Sequence, residues 1–234
     1  MIRLHPLPRF ALIVIVSTAC SLAADWPMYQ ADPARSGVAG DALAFPLALA
    51  WVYTPTHAPR PAWPEPGKEL HRLDFDHAFQ PVIADGIVYF GSSADDTVRA
   101  LDARTGGTVW RYTTGGPVRF APAIAHGNAY VTSDDGKLYC LDAKTGAAKW
   151  VFTAAPRADQ LLGNGRMISR WPLRTGALVV GDTVYIAAGM WPAEGTYLYA
   201  LNAETGDVVW KNDSSGELFR LQPHGGAAAF TGVC

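Results

Sequence analysis

Short segments with β-like alternation of apolar and polar residues recur along the chain, each bounded by turn-forming residues. Three of them carry a tyrosine near their end: Gly86–Phe90, Gly127–Val131 and Asp182–Ile186. Acidic pairs, such as Asp95-Asp96, follow the first two segments. Glycine and aspartate favour tight reversals because they tolerate left-handed backbone or bond to nearby backbone amides. The pattern predicts an all-β chain of antiparallel strands.

An eleven-residue pattern, Ala-Leu-Asp-Ala-x-Thr-Gly-x-x-x-Trp, occurs three times without a gap. The three copies are Ala100–Trp110, Cys140–Trp150 and Ala200–Trp210. Two positions depart from the pattern, with Cys140 in place of Ala and Asn202 in place of Asp. Chance does not account for three aligned copies, so we take the chain as a repeat protein.

The chemistry of the repeated residues explains the turn that they form. The Asp or Asn side chain accepts backbone N–H bonds two residues on, and the Gly adopts positive φ. The next strand closes on the tryptophan, whose flat ring we expect to pack on the neighbouring repeat. We therefore assign a structural role, not a catalytic one, to four positions in each copy. They are Asp102, Thr105, Gly106, Trp110, Asp142, Thr145, Gly146, Trp150, Asn202, Thr205, Gly206 and Trp210.

The spacing of the copies sets the size of the structural unit. Trp110 and Trp150 are 40 residues apart, and Trp150 and Trp210 are 60 apart, with the excess mostly in 157–174 and 190–196. A period of about 40 residues that carries four strands is typical of a β-propeller blade. The sequence predicts an all-β propeller of four-stranded antiparallel blades, with about three full blades plus partial ones and a ring that is not closed.

Partial copies flank the three repeats. Leu47–Tyr53 resembles the closing strand of a blade, and Gly225–Phe230 resembles an opening strand. Because propellers close with about four to eight blades, we expect either a truncated chain or a ring completed by association, and we favour truncation. The predicted domains are an extended N-terminal segment over 25–46 and a partial propeller domain over 47–234.

The N-terminus has the features of an export signal over residues 1–24. Arg3 and Arg9 precede an apolar run over 10–19, which small residues follow. This run is too short to span a membrane, and no later segment approaches a transmembrane length. We expect an exported protein, periplasmic or extracellular. The alternative is an outer-membrane lipoprotein attached through acylated Cys20, although Ser17 stands where such signals usually have Leu.

Composition narrows the range of partners. The formal net charge is −2, with 19 Lys and Arg against 21 Asp and Glu, which argues against nucleic acid as a partner. Cys140 occupies an Ala position of the repeat and is predicted to be small and buried. A disulfide between Cys140 and Cys234 is an open alternative that no spacing rule supports.

These residues resemble the pyrroloquinoline-quinone (PQQ)-like propeller repeat, a family in which the eleven-residue pattern is a tryptophan-docking motif. The similarity covers about residues 47–230. The family includes quinoprotein alcohol dehydrogenases and the propeller lipoprotein of the outer-membrane β-barrel assembly machinery. The segment Asp25–Gly37 also resembles the mature N-terminus of secreted bacterial members.

The resemblance implies a cofactor for the dehydrogenase branch alone, in which PQQ lies on the ring axis and is held by Ca²⁺. Those enzymes often carry two adjacent cysteines and use an Asp as the base. This chain has no Cys-Cys pair and no Cys-x-x-Cys-His haem site, and no Asp or Glu matches the base or the calcium ligands by motif. The catalytic and cofactor-binding residues are therefore unknown, no cofactor is identifiable from the residues, and no metal site is assigned.

A polar cluster, His71–His77, contains two His and two Asp. On a strand, Asp74 and Asp76 share one face while His71 and His77 lie on the other. A single ion needs its ligands on one side. We therefore favour a solvated loop over a metal site.

The insertion over 157–174 contains four Arg residues and a Gly-Asn-Gly turn. Long propeller loops emerge from one face and often bind partners. Because Arg and Trp are enriched at interface hot spots, Arg166, Arg170 and Trp171 are the candidate interface residues.

Two functions from different classes remain. We favour an exported, non-catalytic PQQ-like propeller that acts as an interaction scaffold for a protein or a small ligand, because every recurrent residue has a structural role. The alternative is a fragment of a periplasmic PQQ-dependent alcohol dehydrogenase. Sequence beyond Cys234 would separate them, since adjacent cysteines, a haem site or calcium ligands there would favour the enzyme.

Overall fold

The computed structural model describes residues 24–43, 45–62, 76–163, 165–190 and 194–213. These residues form three four-stranded antiparallel sheets and one two-stranded hairpin. Each large sheet runs in chain order from its first to its fourth strand, which is the order of a propeller blade. The prediction of four-stranded blades in a ring that is not closed is confirmed.

The three blades have the same strand order and similar strand lengths. Blade 1 consists of β1 Val82–Ala84, β2 Ile87–Ser92, β3 Thr97–Asp102 and β4 Thr108–Thr113. Blade 2 consists of β5 Ala123–Ala125, β6 Asn128–Thr132, β7 Lys137–Asp142 and β8 Ala148–Thr153. Blade 3 consists of β11 Leu178–Val180, β12 Thr183–Ala188, β13 Tyr197–Asn202 and β14 Val208–Asn212. Between blades 2 and 3 lies the hairpin of β9 Gln160–Gly163 and β10 Arg166–Ser169.

A bulge occurs at the same point of every blade, beside the tryptophan of the repeat. The residues opposite the three tryptophans are small, and the register shifts directly after each: Ala100 opposite Trp110, Cys140 opposite Trp150 and Ala200 opposite Trp210. A small residue leaves space for the indole, and a bulge increases the local twist of the strand. Cys140 is fully buried there, as the sequence predicts. Burial raises the pKa of its thiol to about 11.

The apolar cores lie between adjacent blades. Tyr89 and Trp110 of blade 1 pack in one cluster with Leu141 of blade 2. A second cluster joins Tyr130 of blade 2 to Leu201 of blade 3. Because a single sheet cannot cover its own faces, each blade is stabilised by the blades beside it.

Indole rings of one copy of the repeat pack on the turn glycine of the next. Three such contacts are present: Trp51 on Gly106, Trp110 on Gly146 and Trp150 on Gly206. A Cβ atom at any of these glycines would come within 2.7–2.9 Å of the ring. Two of the indoles also donate a hydrogen bond to the next copy, Trp51 to Ala103 O at 2.9 Å and Trp110 to Ala143 O at 2.8 Å. The third indole, Trp150, has a buried Nε1 with no hydrogen-bond partner among the described residues.

The segment Leu47–Tyr53 forms no strand, although the sequence predicts a closing strand there. Its tryptophan, Trp51, nevertheless takes the docking position on Gly106. A strand needs a hydrogen-bonded neighbour, and the described part of the chain supplies none beside this segment. The side chain therefore follows the prediction and the backbone does not.

The segment after residue 24 runs across the inner strands of blades 1 and 2. Trp26 and Ile83 exchange two backbone hydrogen bonds, of 2.8 and 2.9 Å, and Ile124 N donates to Pro27 O at 2.7 Å. Met28 is buried in the cluster between blades 2 and 3. The N-terminal segment thus contacts blades 1 and 2 through its backbone and the core between blades 2 and 3 through Met28.

Several predictions fall wholly or mostly outside the described residues, namely residues 1–23 of the export signal predicted over 1–24, Cys20, Cys234, Gly225–Phe230 and residues 71–75 of the polar cluster. In the ranges that are described, no helix is both long and apolar enough to cross a membrane.

Candidate functional site

The inserted hairpin β9–β10 occupies the middle of the segment that the sequence predicts as a binding loop. Leu161 pairs with Ile168 across it, and Leu162 pairs with Met167. Gly165 lies in the turn between the two strands with a φ of 74°, a left-handed conformation that favours glycine. Short β-like segments on both sides of a Gly-Asn-Gly turn therefore fold into a hairpin.

One face of the hairpin carries an exposed apolar pair. Leu162 is 71% exposed, and Met167, its cross-strand partner, is 54% exposed. Ile168, on the opposite face, is buried. Single exposed apolar residues are common, but two that face each other across a hairpin form one patch. The sequence prediction missed this pair, and the signal for it was the alternation of residues on either side of the turn.

Arg166 ties the hairpin to blade 1. Its guanidinium donates to Ala94 O at 2.6 Å and forms a salt bridge with Asp96, and both acceptors lie in the turn between β2 and β3. Burial raises the pKa of the Asp96 carboxyl, and the Arg166 charge opposes that rise. Ser169 N donates to Asp134 O at 2.7 Å, which holds β10 to blade 2.

The other two predicted interface residues, Arg170 and Trp171, lie at the base of the hairpin. Trp171 is buried, and its indole Nε1 donates to Glu194 O. Arg170 forms a salt bridge with the Glu194 carboxylate and lies 5.5 Å from the centroid of the indole ring. Arg157 lies 5.2 Å from the same centroid. Within the chain these side chains brace the hairpin, and their contact with a partner stays a prediction.

Close to this base, two arginines share one buried carboxylate. Arg119 Nε donates to Asp134 Oδ2 at 2.6 Å, and Arg174 donates to both Asp134 oxygens at 2.9 and 3.1 Å. Arg119 also donates to Asp76 at 3.3 Å. Buried charges are tolerated when they are paired in this way. The cluster connects blade 2 to the entry of blade 3, and it occupies both guanidinium groups.

The repeated acidic residues make local turn contacts. Asp102 Oδ1 accepts from Thr105 N at 2.7 Å and from Thr105 Oγ1 at 2.8 Å. Asp142 has the same two contacts with Thr145, both at 2.9 Å. The threonine hydrogen bonds lower the pKa of both carboxyls. A carboxylate held in its ionised form inside a turn is poorly suited to act as a proton acceptor.

No metal centre is formed by the described residues, since no group of three or more His, Cys, Asp or Glu side chains there could hold an ion. Asp76, which belongs to the polar cluster, accepts from Arg119 and from Ala62 N at 3.3 Å. Its carboxylate is therefore engaged in structural contacts.

Comparison with known proteins agrees with the architecture. A family model described as outer membrane protein assembly factor BamB matches residues 57–217, which is more than half of the chain. The chain belongs to the PQQ-like β-propeller family. A search of curated proteins finds no match.

Solved structures also resemble this PQQ-like propeller. Quinohemoprotein alcohol dehydrogenase from Comamonas testosteroni aligns with 26% identity and a TM-score of 0.60, over 80% of this chain and 27% of that one. BamB from Moraxella catarrhalis aligns with 23% identity and a TM-score of 0.41, over 54% of this chain and 33% of that one. A europium-containing methanol dehydrogenase aligns with 24% identity and a TM-score of 0.47, over 59% of this chain and 26% of that one. The alignments therefore span about a third or less of each of these proteins.

Proposed function

We propose that this PQQ-like propeller is an exported, non-catalytic interaction scaffold and that the hairpin β9–β10 is its protein-contact surface. The observation that carries the proposal is the exposed pair of Leu162 and Met167 on an element that a salt bridge holds to blade 1 and a backbone hydrogen bond holds to blade 2. Because the hairpin is already held in place, few of its groups need to become ordered when a partner covers the apolar patch. Little of the binding free energy is therefore lost to conformational entropy.

The backbone of the hairpin adds a second means of contact. Within the described residues no third strand pairs with β9 or β10. On the outer edge of β10, Ser169 N already donates to Asp134 O, so the outer edge of β9 is the one that is open to pairing. An extended segment of a partner can pair with such an edge, while the side chains of the patch supply specificity. We infer that the partner contributes a strand or an extended segment.

The description of the matching family model, outer membrane protein assembly factor, supports a protein partner in the cell envelope. The export signal predicted over residues 1–24 is in keeping with that location. Acylation of Cys20 would add a peripheral attachment to the membrane, independent of the hairpin. The proposed partner is therefore an envelope protein, and the proposed location is periplasmic or at the outer membrane.

The test replaces the exposed pair and leaves its braces intact. We expect the double variant Leu162→Glu and Met167→Glu to lower recovery of the envelope protein that co-purifies with the tagged chain at least tenfold, because carboxylates cannot enter an apolar contact without a large desolvation cost. Val151→Glu is the matched control, since Val151 is an exposed apolar residue on the outer strand β8. Urea unfolding curves of both proteins check that the fold is retained.

Normal recovery by the folded double variant would contradict the assignment of the hairpin. Failure of the unmodified chain to retain any envelope protein would contradict the scaffold itself.

A fragment of a PQQ-dependent dehydrogenase is the second candidate, and the alignment with quinohemoprotein alcohol dehydrogenase favours it. Among the described residues, no group of three or more His, Cys, Asp or Glu side chains could hold the Ca²⁺ of such an enzyme. Adding PQQ and Ca²⁺ and measuring dye-linked alcohol oxidation separates the two candidates. The scaffold proposal predicts no turnover above a blank without protein, and turnover would favour the dehydrogenase.

A further inference from the structure

A cleft with a volume of about 330 Å³ lies between blades 2 and 3. It is at the opposite end of the strands from the hairpin, because it is bounded by the β5–β6, β11–β12 and β13–β14 turns. Eight residues line it: His126, Asn128, Tyr130, Lys149, Asp182, Asn202, Ala203 and Glu204. A volume near the lower end of the usual range for ligand pockets, roughly 300–1,000 Å³, suits a small molecule.

The internal repeat shows which of these residues are unusual. In blade 2 the cleft is lined by three polar side chains, His126, Asn128 and Lys149. The corresponding residues are Asp85, Ile87 and Val109 in blade 1, and Gly181, Thr183 and Val209 in blade 3. Two of the three positions are therefore apolar in at least one other blade. A blade needs none of these polar groups in order to fold or to pack on its neighbour.

Asn202, the only Asn at the Asp position of the repeat, lines the same cleft. Its Oδ1 accepts from Glu204 N and Thr205 N, both at 2.9 Å, which preserves the turn. In the ranges that the structure describes, its side-chain NH₂ group donates to no acceptor. Asn in place of Asp thus removes a negative charge from the cleft and adds a hydrogen-bond donor to it.

Hydrogen bonds hold the polar side chains of blade 2 in place. Lys149 Nζ donates to Asn128 Oδ1 at 2.6 Å and lies 3.5 Å from Asp142 Oδ2. Asn128 Nδ2 donates to the Tyr130 hydroxyl at 3.2 Å, which in turn donates to Ala203 O at 2.9 Å. The chain of contacts runs from blade 2 to blade 3, so the floor of the cleft is organised before any ligand arrives.

His126 occupies the rim of the cleft. Its Nε2 lies 2.9 Å from Gly181 O and 3.9 Å from Asp182 Oδ1. The contact with a backbone carbonyl orients the ring across the gap between the two blades.

The balance of donors and acceptors indicates the class of ligand. The lining has the Lys149 ammonium group on the blade 2 side, and the Asn202 amide with the carboxylates of Asp182 and Glu204 on the blade 3 side. One cation against two carboxylates disfavours an anion, and no described set of three ligating side chains suits a metal ion. Hydroxyl groups both donate and accept hydrogen bonds, so a molecule rich in hydroxyls can satisfy both sides. We propose that this cleft binds a neutral polyhydroxylated ligand of the saccharide class.

Structural roles alone explain fewer of the polar residues in the cleft than ligand binding does. An ion pair between Lys149 and Asp142 contributes little, because both side chains are about a third or more exposed. It also requires neither Asn128 nor Asn202. Three departures from the repeat, Asn128, Lys149 and Asn202, lie at one cleft, and a ligand explains them together.

The test titrates the 234-residue chain with glucose, galactose, N-acetylglucosamine and lactose, with inorganic phosphate and citrate as anionic probes. Proton–nitrogen correlation spectra report on the Asn202 side-chain amide, and isothermal titration calorimetry gives the affinity. We expect at least one sugar to bind and to shift the Asn202 signals, and both anions to bind more weakly.

Two variants return the cleft to residues that other blades already use. Asn128→Ile with Lys149→Val reproduces blade 1, and Asn202→Asp reproduces blades 1 and 2, so both should fold. Each is expected to weaken sugar binding at least tenfold. Leu162→Glu, on the hairpin, should leave sugar binding unchanged, which keeps this test separate from the test of the scaffold.

Three results would each overturn the proposal: no binding of any sugar, unchanged sugar affinity in both cleft variants, or binding of phosphate or citrate that is tighter than that of every sugar.

Discussion

The glycine that ends each Thr-Gly turn is the residue on which contact between blades depends. At Gly146 an added Cβ would lie 2.7 Å from Cδ2 of the Trp110 indole, and the backbone has a φ of +73°. An L-residue there would meet both a steric clash and a strained backbone. Gly86 has the same φ, with nothing within 4 Å of the position of its Cβ. Comparing substitutions at Gly146 and Gly86 therefore distinguishes the cost of the steric clash from the cost of backbone strain.

We expect Gly146→Ala to lower the free energy of unfolding by about 2–4 kcal/mol, the sum of overpacking and left-handed strain. Gly86→Ala should cost about 1 kcal/mol, because only the strain applies. Urea denaturation of both variants measures the difference. Equal losses would show that the indole does not pack on Gly146.

The two central tryptophans differ in one hydrogen bond. Trp110 Nε1 donates to Ala143 O, whereas the buried Trp150 Nε1 has no described partner. Phenylalanine removes the donor from either site at a similar cost in apolar area. We expect Trp150→Phe to destabilise the protein by about 1–2 kcal/mol less than Trp110→Phe, since it relieves an unsatisfied buried donor. A larger loss at Trp150, measured in the same unfolding assay, would contradict the contacts described.

Contacts of the docking motif within one turn are predictable from sequence, whereas its contacts between blades are not. Asp102 and Thr105 are three residues apart, so their hydrogen bond follows from turn chemistry alone. The missing partner of Trp150 depends on how blade 3 sits against blade 2, which no local pattern encodes. The cleft beside Lys149 also lies between two blades, so no local pattern predicts it. Its unusual residues stand out only when equivalent positions of the three blades are compared.

At the scale of elements, the hairpin β9–β10 is the main addition to the regular blades. The sequence indicates an insertion with a turn, but the anchors of Arg166 at Ala94 and Asp96 lie about 70 residues away in the chain. Contacts of such separation depend on the three-dimensional arrangement of the blades. This is why Arg166 is predicted as an interface residue although its contacts in the structure are internal.

Loss of the Arg166 anchor should loosen the hairpin without unfolding the blades. We expect Arg166→Ala to speed hydrogen exchange of the β9 and β10 amides at least tenfold, while the urea midpoint changes little, because local openings are independent of global unfolding. Arg111→Ala is the control, since Arg111 is an exposed arginine on strand β4, away from the hairpin. Unchanged exchange in the Arg166 variant would show that the anchor does not brace the hairpin.

At the scale of the whole molecule, blade 3 presents the face that blades 1 and 2 bury. Tyr185 and Trp210 correspond to Tyr89 and Trp110, but Trp210 is 51% exposed and Tyr185 is 41% exposed. No turn glycine packs on the Trp210 ring among the described residues. An apolar face of this kind favours association.

We expect the 234-residue chain to self-associate in sedimentation velocity at micromolar concentrations, because association buries this face. Trp210→Glu should shift the distribution toward monomer. Val109→Glu, on the outer strand β4, should leave it unchanged. A monodisperse monomer of the unmodified chain would contradict this expectation.

Site-specific photo-crosslinking in the cell envelope tests whether this PQQ-like propeller is a scaffold with its contact surface on the hairpin. A photoreactive residue replaces Leu162 in one protein and Val151 in the other, so that both positions are exposed and only one lies on the hairpin. We expect one defined protein adduct at position 162 and none at position 151. Equal adducts at both positions, or no adduct at position 162, would contradict the assignment of the hairpin as the contact surface.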